Sequence, residues 1–331
     1  MGQLIVNRVG IAYRAVPTYL KDGSMKEKSK KKNKLGKWPY IFVAPFLISY
    51  LAFYLYPMLY SFAISFTDWT AVKMNDRQFL GLQNYIRVFT ADPLFWSSIL
   101  NTVKIMIIAM PLTIVGGLLV AVLMFNIVKG RQFIQTVNFL PYITMPVAVG
   151  LIFANMFNTN IGMVNTVLTQ LGLMDEKINW LGDSKYAFIV VILICIWKNF
   201  GYFMVLYLSG LSTISNEYYD AAKVDGANAV QSFFKITLPL LRPITTFVIV
   251  QGAIGGFQLF DEAKTLVSGS GSTIVGGPGR SLLTIVWYFY DSSFQNNSRY
   301  GYGAAIAFSM LLIIAAMSFI NLRVLREKND N

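Results

Sequence analysis

Apolar runs too long and too closely spaced for a soluble core constrain this chain more than anything else in it. Six reach the roughly 20 residues that a helix needs to cross about 30 Å of hydrocarbon. They cover 41–66, 99–126, 133–157, 187–211, 240–263 and 301–323. Only 13% of the 331 residues are charged, against about 25% in an ordinary soluble domain. The expected fold is therefore an all-α integral membrane protein with six transmembrane helices. Pro45, Pro57, Pro111, Pro141 and Pro146 fall within the runs. They predict kinks rather than ends, because neighbouring helices can satisfy the carbonyls that a proline frees. Gly116-Gly117, Gly252 and Gly255-Gly256 allow helices to approach closely.

Lysine and arginine set the orientation. Residues 1–38 carry ten of them, and Lys129, Arg131, Lys223, Lys235, Arg323, Arg326 and Lys328 mark the same side. The opposite loops are balanced or acidic, with Asp68, Asp76, Asp92, Asp175, Glu176, Asp183 and Asp291. By the positive-inside rule both termini and the 212–239 loop face the cytoplasm. This divides the chain into a basic cytoplasmic segment (1–38), a transmembrane domain (39–323) and a short cytoplasmic tail (324–331). Residues 4–20 have the makings of a weak interfacial helix, and 21–38 read as a Lys-rich tether, with lipid headgroups as one outlet for its charge. The first long apolar run begins only after this basic stretch, which is not the layout of a cleavable leader. The net charge of +12 follows from topology. The aromatic residues lie in the spans, not among the basic run, so no nucleic-acid partner is expected.

The chemistry available is narrow. Histidine is absent and Cys195 is the sole cysteine, which removes zinc sites, triads and internal disulfides. No Gly-x-x-x-x-Gly-Lys-Ser/Thr phosphate loop occurs, and the glycine-rich run Gly269–Gly279 reads as a flexible loop. No catalytic, metal or cofactor residue is expected, so any ATP hydrolysis belongs to another chain. The polar residues inside the runs are more informative. Lys104 can snorkel to an interface. Lys198 and Asn199 lie near the middle of the fourth run, with Tyr202 one turn on. Gln251, Gly255 and Gln258 share a helical spacing in the fifth, followed by Asp261 and Glu262. Such groups are costly in hydrocarbon and should face a bundle interior or a cavity. With aromatic faces such as Phe200 and Phe257, they supply the polar and apolar mixture that a sugar passage needs. Hydrogen bonding between helices, with no ligand, explains them equally well.

The stretch from Asn216 to Pro239 stands apart. Ser215 or Asn216 can cap a helix whose first turns carry Glu217 and Asp220. Tyr218, Ala221 and Ala222 form a small apolar face. Gly226 can end the helix in the left-handed conformation. A second short helix follows, and Pro239 opens the next apolar run. This is a helical hairpin at the membrane surface, either a docking site for a soluble partner or an ordinary amphipathic element.

Seven positions of that stretch, Asp220-Ala221-Ala222, Gly226, Ile236 and Leu238-Pro239, resemble the cytoplasmic coupling loop of binding-protein-dependent ABC transporter permeases. Asp220 stands where that family usually has glutamate. Gly81-Leu82-x-Asn84-Tyr85, Asp92-Pro93-x-Phe95-Trp96, Gly162, Asn165, Gly172 and Gly276-Gly277-Pro278 resemble its carbohydrate-type branch. Ser268–Val275 looks like a local extension. The resemblance covers about residues 40–323. It implies a subunit of a sugar or oligosaccharide importer in the plasma (inner) membrane of a bacterium or archaeon. The implied partners are a second permease, two cytosolic ATPase subunits and an external solute-binding protein. Glu217, Asp220, Ala221, Ala222 and Gly226 become the ATPase-coupling candidates. Substrate-holding positions of the maltose-type members fall around Asn199, Tyr202, Gly252, Gly255, Gly256 and Leu259, so the pathway candidates are Asn199, Tyr202, Gln251, Gly255, Gly256, Phe257 and Gln258. The glycines among them imply a wide passage or a weak site. The competing readings are an ATP-independent secondary transporter or channel, a membrane scaffold, and an ABC permease for glycerol-phosphate-like solutes.

Overall fold

The computed structural model describes residues 38–72, 77–125, 130–295 and 298–327. The basic segment and interfacial helix expected before residue 38, and the last residues of the tail, lie outside them. The described residues are mainly helical, with one isolated bridge between Thr67 and Phe79 and no strand. Four helices are long and apolar enough to cross a membrane: α1 (Pro39–Ile64), α3 (Pro93–Phe125), α7 (Ser184–Leu211) and the Tyr300–Phe319 part of α13 (Tyr300–Glu327). Two bent pairs bring the number to six if each is one span: α4 (Arg131–Ile143) with α5 (Pro146–Met156), and α9 (Ala229–Leu240) with α10 (Arg242–Phe257). Shorter helices are α2 (Gln83–Thr90), α6 (Met163–Gln170), α8 (Asn216–Val224), α11 (Asp261–Gly269) and α12 (Ile285–Phe294). The chain divides into two compact units after Tyr56, part-way along α1.

The bends correct two of the expected spans. The run 133–157 is not one helix: α4 and α5 meet at 94°. Thr144 and Met145 adopt extended ψ angles of 141° and 125°; for Met145 the ring of Pro146 disfavours helical backbone. The run 240–263 also breaks. α10 ends at Phe257, and Phe260 leaves helical space at φ −147°. The carbonyl of Leu259, freed by that break, accepts the hydroxyl of the buried Thr284 at 2.7 Å. Thr284 in turn caps α12.

The polar runs before α3 are fasteners. The buried amide of Asn84 donates to the carbonyls of Ser65 and Thr67 at 2.9 and 2.8 Å, closing the C-terminal end of α1. One oxygen of Asp92 accepts the amides of Leu94 and Phe95 at 3.0 and 3.2 Å, an N-terminal cap that starts α3 six residues before the expected 99. Its other oxygen accepts the hydroxyls of Tyr288 in α12 and Tyr302 in α13. Burial, then the adjoining Asp92 carboxylate, pushes the Tyr288 hydroxyl up to about 12, so it remains a donor. Asn165 works similarly: its amide donates to the Thr159 and Ile178 carbonyls, and its oxygen accepts from Trp180 at 2.8 Å.

Two apolar clusters hold the bundle. One gathers residues such as Phe95, Ile105, Ile194, Phe257, Leu266 and Ile285. The other gathers Leu118, Phe203, Met204, Tyr207, Leu241 and Val248. α3 against α7 is the most extensive helix pair, and α4 also packs on α7. There Gly201 is indispensable: a Cβ on it would lie 1.7 Å from the carbonyl oxygen of Asn138. Gly201→Ala therefore has to push α4 from α7 and should cost roughly 1–3 kcal/mol. A melting temperature in detergent equal to that of the unsubstituted protein would refute this packing.

Candidate functional site

Where the two apolar clusters meet, α3, α4, α7, α10 and the start of α11 enclose a cavity of about 480 Å³. Its walls are mixed. Ile105, Met106, Ala109, Met110, Phe203 and Leu259 supply apolar surface, and Tyr142 and Tyr202 stack with ring centres 4.3 Å apart and planes 6° from parallel. Polar groups come from Asn199, Gln251, Gln258 and Asp261, with the ion pair of Lys198 and Glu262. The pair's side chains are only 14% and 10% exposed.

The break between α10 and α11 positions these groups. Gln258 sits just past the end of α10, and Asp261 and Glu262 occupy the first turn of α11, where the helix dipole favours carboxylates. Neighbours on a helix point apart, so Glu262 turns inward to Lys198 while Asp261 stays exposed. The Asn199 amide donates to the Cys195 carbonyl at 2.8 Å, which leaves its oxygen as an acceptor. Gly256 packs on Met106, whereas a Cβ on Gly255 would meet nothing within 4 Å. Gly255 is thus an open window in the wall.

Of the pathway residues read from the sequence, Asn199, Tyr202, Gln251, Gly255, Gly256 and Gln258 all line this cavity. Phe257 does not. It is 1% exposed and belongs to the apolar core: the roughly 100° turn from Gly256 to the next residue carries its ring off the cavity face. Phe200 is likewise absent from the wall and lies against Gly116. Tyr142 takes the aromatic role. No linear signal announced it, since the bend before Pro146 brings α4 to Tyr202.

The second feature is the 212–239 segment. The Ser215 hydroxyl caps α8 by accepting from the Glu217 amide at 3.3 Å. Gly226 ends the turn at φ +76° with open space around it. Asp220 pairs with Lys223 at 3.0 Å on the exposed side. The apolar face expected from Tyr218, Ala221 and Ala222 divides. Ala222, 8% exposed, faces inward with Tyr219, whose hydroxyl lies 2.9 Å from that of Thr237. Tyr218, Ala221 and Val224 form an outward stripe at i, i+3 and i+6, with Tyr218 56% and Val224 89% exposed. Ala222 thus packs inward in this chain. α9 adds exposed Val230 and Phe234 beyond a capping box between Asn228 and Gln231.

Residues 4–328 match the family described as binding-protein-dependent transport system inner membrane component. The chain belongs to that family. It is 32% identical over 290 residues to the lactose transport system permease protein of Rhizobium radiobacter, covering 87% of this chain and 94% of the relative. It is 36% identical over 303 residues to a probable ABC transporter permease protein of Bacillus subtilis (strain 168), covering 90% and 93%. The arabinooligosaccharides transport system permease protein of the same organism is 32% identical over 86% of this chain and 88% of its own. Among solved structures, a chain of a bacterial alginate ABC transporter, in complex with an alginate pentasaccharide-bound periplasmic protein, superposes with a TM-score of 0.74. Identity there is 21%, over 88% of this chain and 95% of that one, and the shared feature is the fold. The chain is thus a non-catalytic, inner-membrane permease component of an ABC importer with several membrane-spanning helices, and ATP hydrolysis resides on a separate subunit. The ATP-independent carrier is set aside.

The Lys198–Glu262 pair yields a prediction about stability. Glu262→Ala leaves a buried ammonium without a partner and should cost about 3–5 kcal/mol, whereas the double change Lys198→Met, Glu262→Leu should return near the starting stability. Melting curves in detergent measure both. Equal losses for the single and double changes would contradict the pairing.

Proposed function

We propose that this chain forms one half of the translocation pathway of a saccharide importer, with the cavity as its passage. A saccharide ring offers an apolar face and a rim of hydroxyls. The stacked Tyr142 and Tyr202 match the first, and Asn199, Gln251 and Gln258 match the second. The single observation that carries the reading is this convergence of side-chain amides and tyrosine rings on one cavity at the broken helices. The sugar-named relatives support the substrate class. An ABC permease for glycerol-phosphate-like solutes fits less well, because the only cation in the wall is bound to Glu262.

The assembly that follows contains a second permease, two cytosolic ATPase subunits and an external binding protein, within a membrane that both termini of this chain meet from the cytoplasm. Residues 1–38 act as a basic cytoplasmic segment, 39–323 as the six-span permease domain and 324–331 as a tail. The stripe of Tyr218, Ala221 and Val224 docks into a cleft of one ATPase, flanked by Glu217 and Asp220. Exposed apolar side chains on a polar hairpin are costly in water, and a soluble subunit would cover them. Closure of the ATPases would move α8 and tilt the bundle, and each solute shifts that equilibrium only by its differential affinity for the two states.

Two substitutions separate passage from coupling. Gly226→Asp adds a charged side chain at the end of the docking stripe, in a conformation that aspartate tolerates at modest cost. It should abolish uptake with normal membrane levels, and uptake at the unsubstituted rate would refute the docking role. Gly255→Leu fills the open window. It should lower uptake at least tenfold, while Gly255→Ala should leave it close to normal and ATPase subunits should still co-purify. Normal uptake by Gly255→Leu would remove the cavity as the passage.

A further inference from the structure

The fold does not decide which saccharides pass, because the solved neighbour imports an acidic polysaccharide on the same backbone plan. The side chains of the cavity carry that choice. Its wall contains three charged residues, Lys198, Glu262 and Asp261. Lys198 and Glu262 neutralise one another in a buried ion pair. The Asp261 carboxylate has no partner among the described residues and stands exposed at the cavity edge. Lys264, three residues on, lies over the ring of Tyr290, with its ammonium 4.0 Å from the ring centre. One negative charge of the wall is left without a partner among the described residues.

We infer that the cavity is a charge filter, with Asp261 as the specificity-determining residue: it admits neutral saccharides and turns away acidic, uronate-type ones. This rests on the passage assigned above. A carboxylate accepts hydrogen bonds and donates none, so Asp261 welcomes pairs of sugar hydroxyls and repels a sugar carboxylate. The oxygen of Asn199, on a residue of the same wall, is another acceptor for sugar hydroxyls. The positive charge in the wall, the Lys198 ammonium, is already committed to Glu262, so a sugar carboxylate finds only neutral donors there. A carboxylate entering within about 4 Å of Asp261 meets like charge, and repulsion between charges near a protein surface, even partly screened by water, corresponds to a discrimination of roughly tenfold.

The test uses the complete transporter in nanodiscs without its binding protein, so that the permease alone selects. Apparent affinities for maltotriose and trigalacturonate are measured by saturation-transfer NMR. The unsubstituted protein should favour maltotriose about tenfold. Asp261→Asn, a nearly isosteric change at an exposed position, should shrink that ratio, and Asp261→Lys should invert it. Equal affinity for the two sugars before substitution, or an unchanged ratio in both variants, overturns the filter. Gly255→Leu tells the two readings apart. A maltotriose signal that survives this plug, or no signal from either sugar in the unsubstituted protein, overturns the passage itself and the filter with it. A signal that Gly255→Leu removes, with a ratio that ignores Asp261, overturns the filter alone.

Discussion

Lipid offers no hydrogen bonds, and the rest of this structure depends on that. Every backbone group that leaves a helix at membrane depth must find a partner inside the protein. The break after α10 obeys this through Thr284, whose hydroxyl takes the freed carbonyl of Leu259. The bend between α4 and α5 obeys it locally, with the Thr144 hydroxyl returning to the carbonyl of Leu140 at 2.9 Å. Both irregular places border the cavity. Irregular backbone is tolerated where it is buried in protein or lines a polar space, so the positions that can hold Gln258, Asp261 and Glu262 are the positions at which the helices stop.

The same constraint explains what could be read from the chain. Spans were legible because their signal is length, which survives without knowledge of packing. A kink at Pro146 was legible but not its size of 94°, and neither the exact boundaries nor the break at Phe260 could be read, because both residues act through the conformations of their neighbours. That Asn199, Tyr202, Gln251 and Gln258 would face inward was legible, because polar groups in an apolar run are costly toward lipid, and they do line one cavity. Tyr142 was invisible, since its partner lies sixty residues away and is reached through a bend. Phe257 failed for the opposite reason. An aromatic residue beside a polar stripe suits a cavity wall and a core equally, and a rotation of one residue position decides between them.

The short hairpin shows the limit of counting apolar residues. Ala221 and Ala222 are the same amino acid side by side, yet one is exposed and the other buried. Which faces out depends on where the Tyr219 hydroxyl meets Thr237, a contact across the turn that Gly226 makes. Val224, which no motif singles out, becomes the most exposed member of the stripe.

The Asp92 carboxylate has a mechanical implication. By capping α3 and accepting both tyrosine hydroxyls, it rivets the ends of three helices, α3, α12 and α13, at one point. Elements riveted at one end cannot slide past each other there. They can only splay from it, like the ribs of a fan. In such a linkage a small displacement near the joint corresponds to a larger one at the far ends, and the joint here is a single side chain.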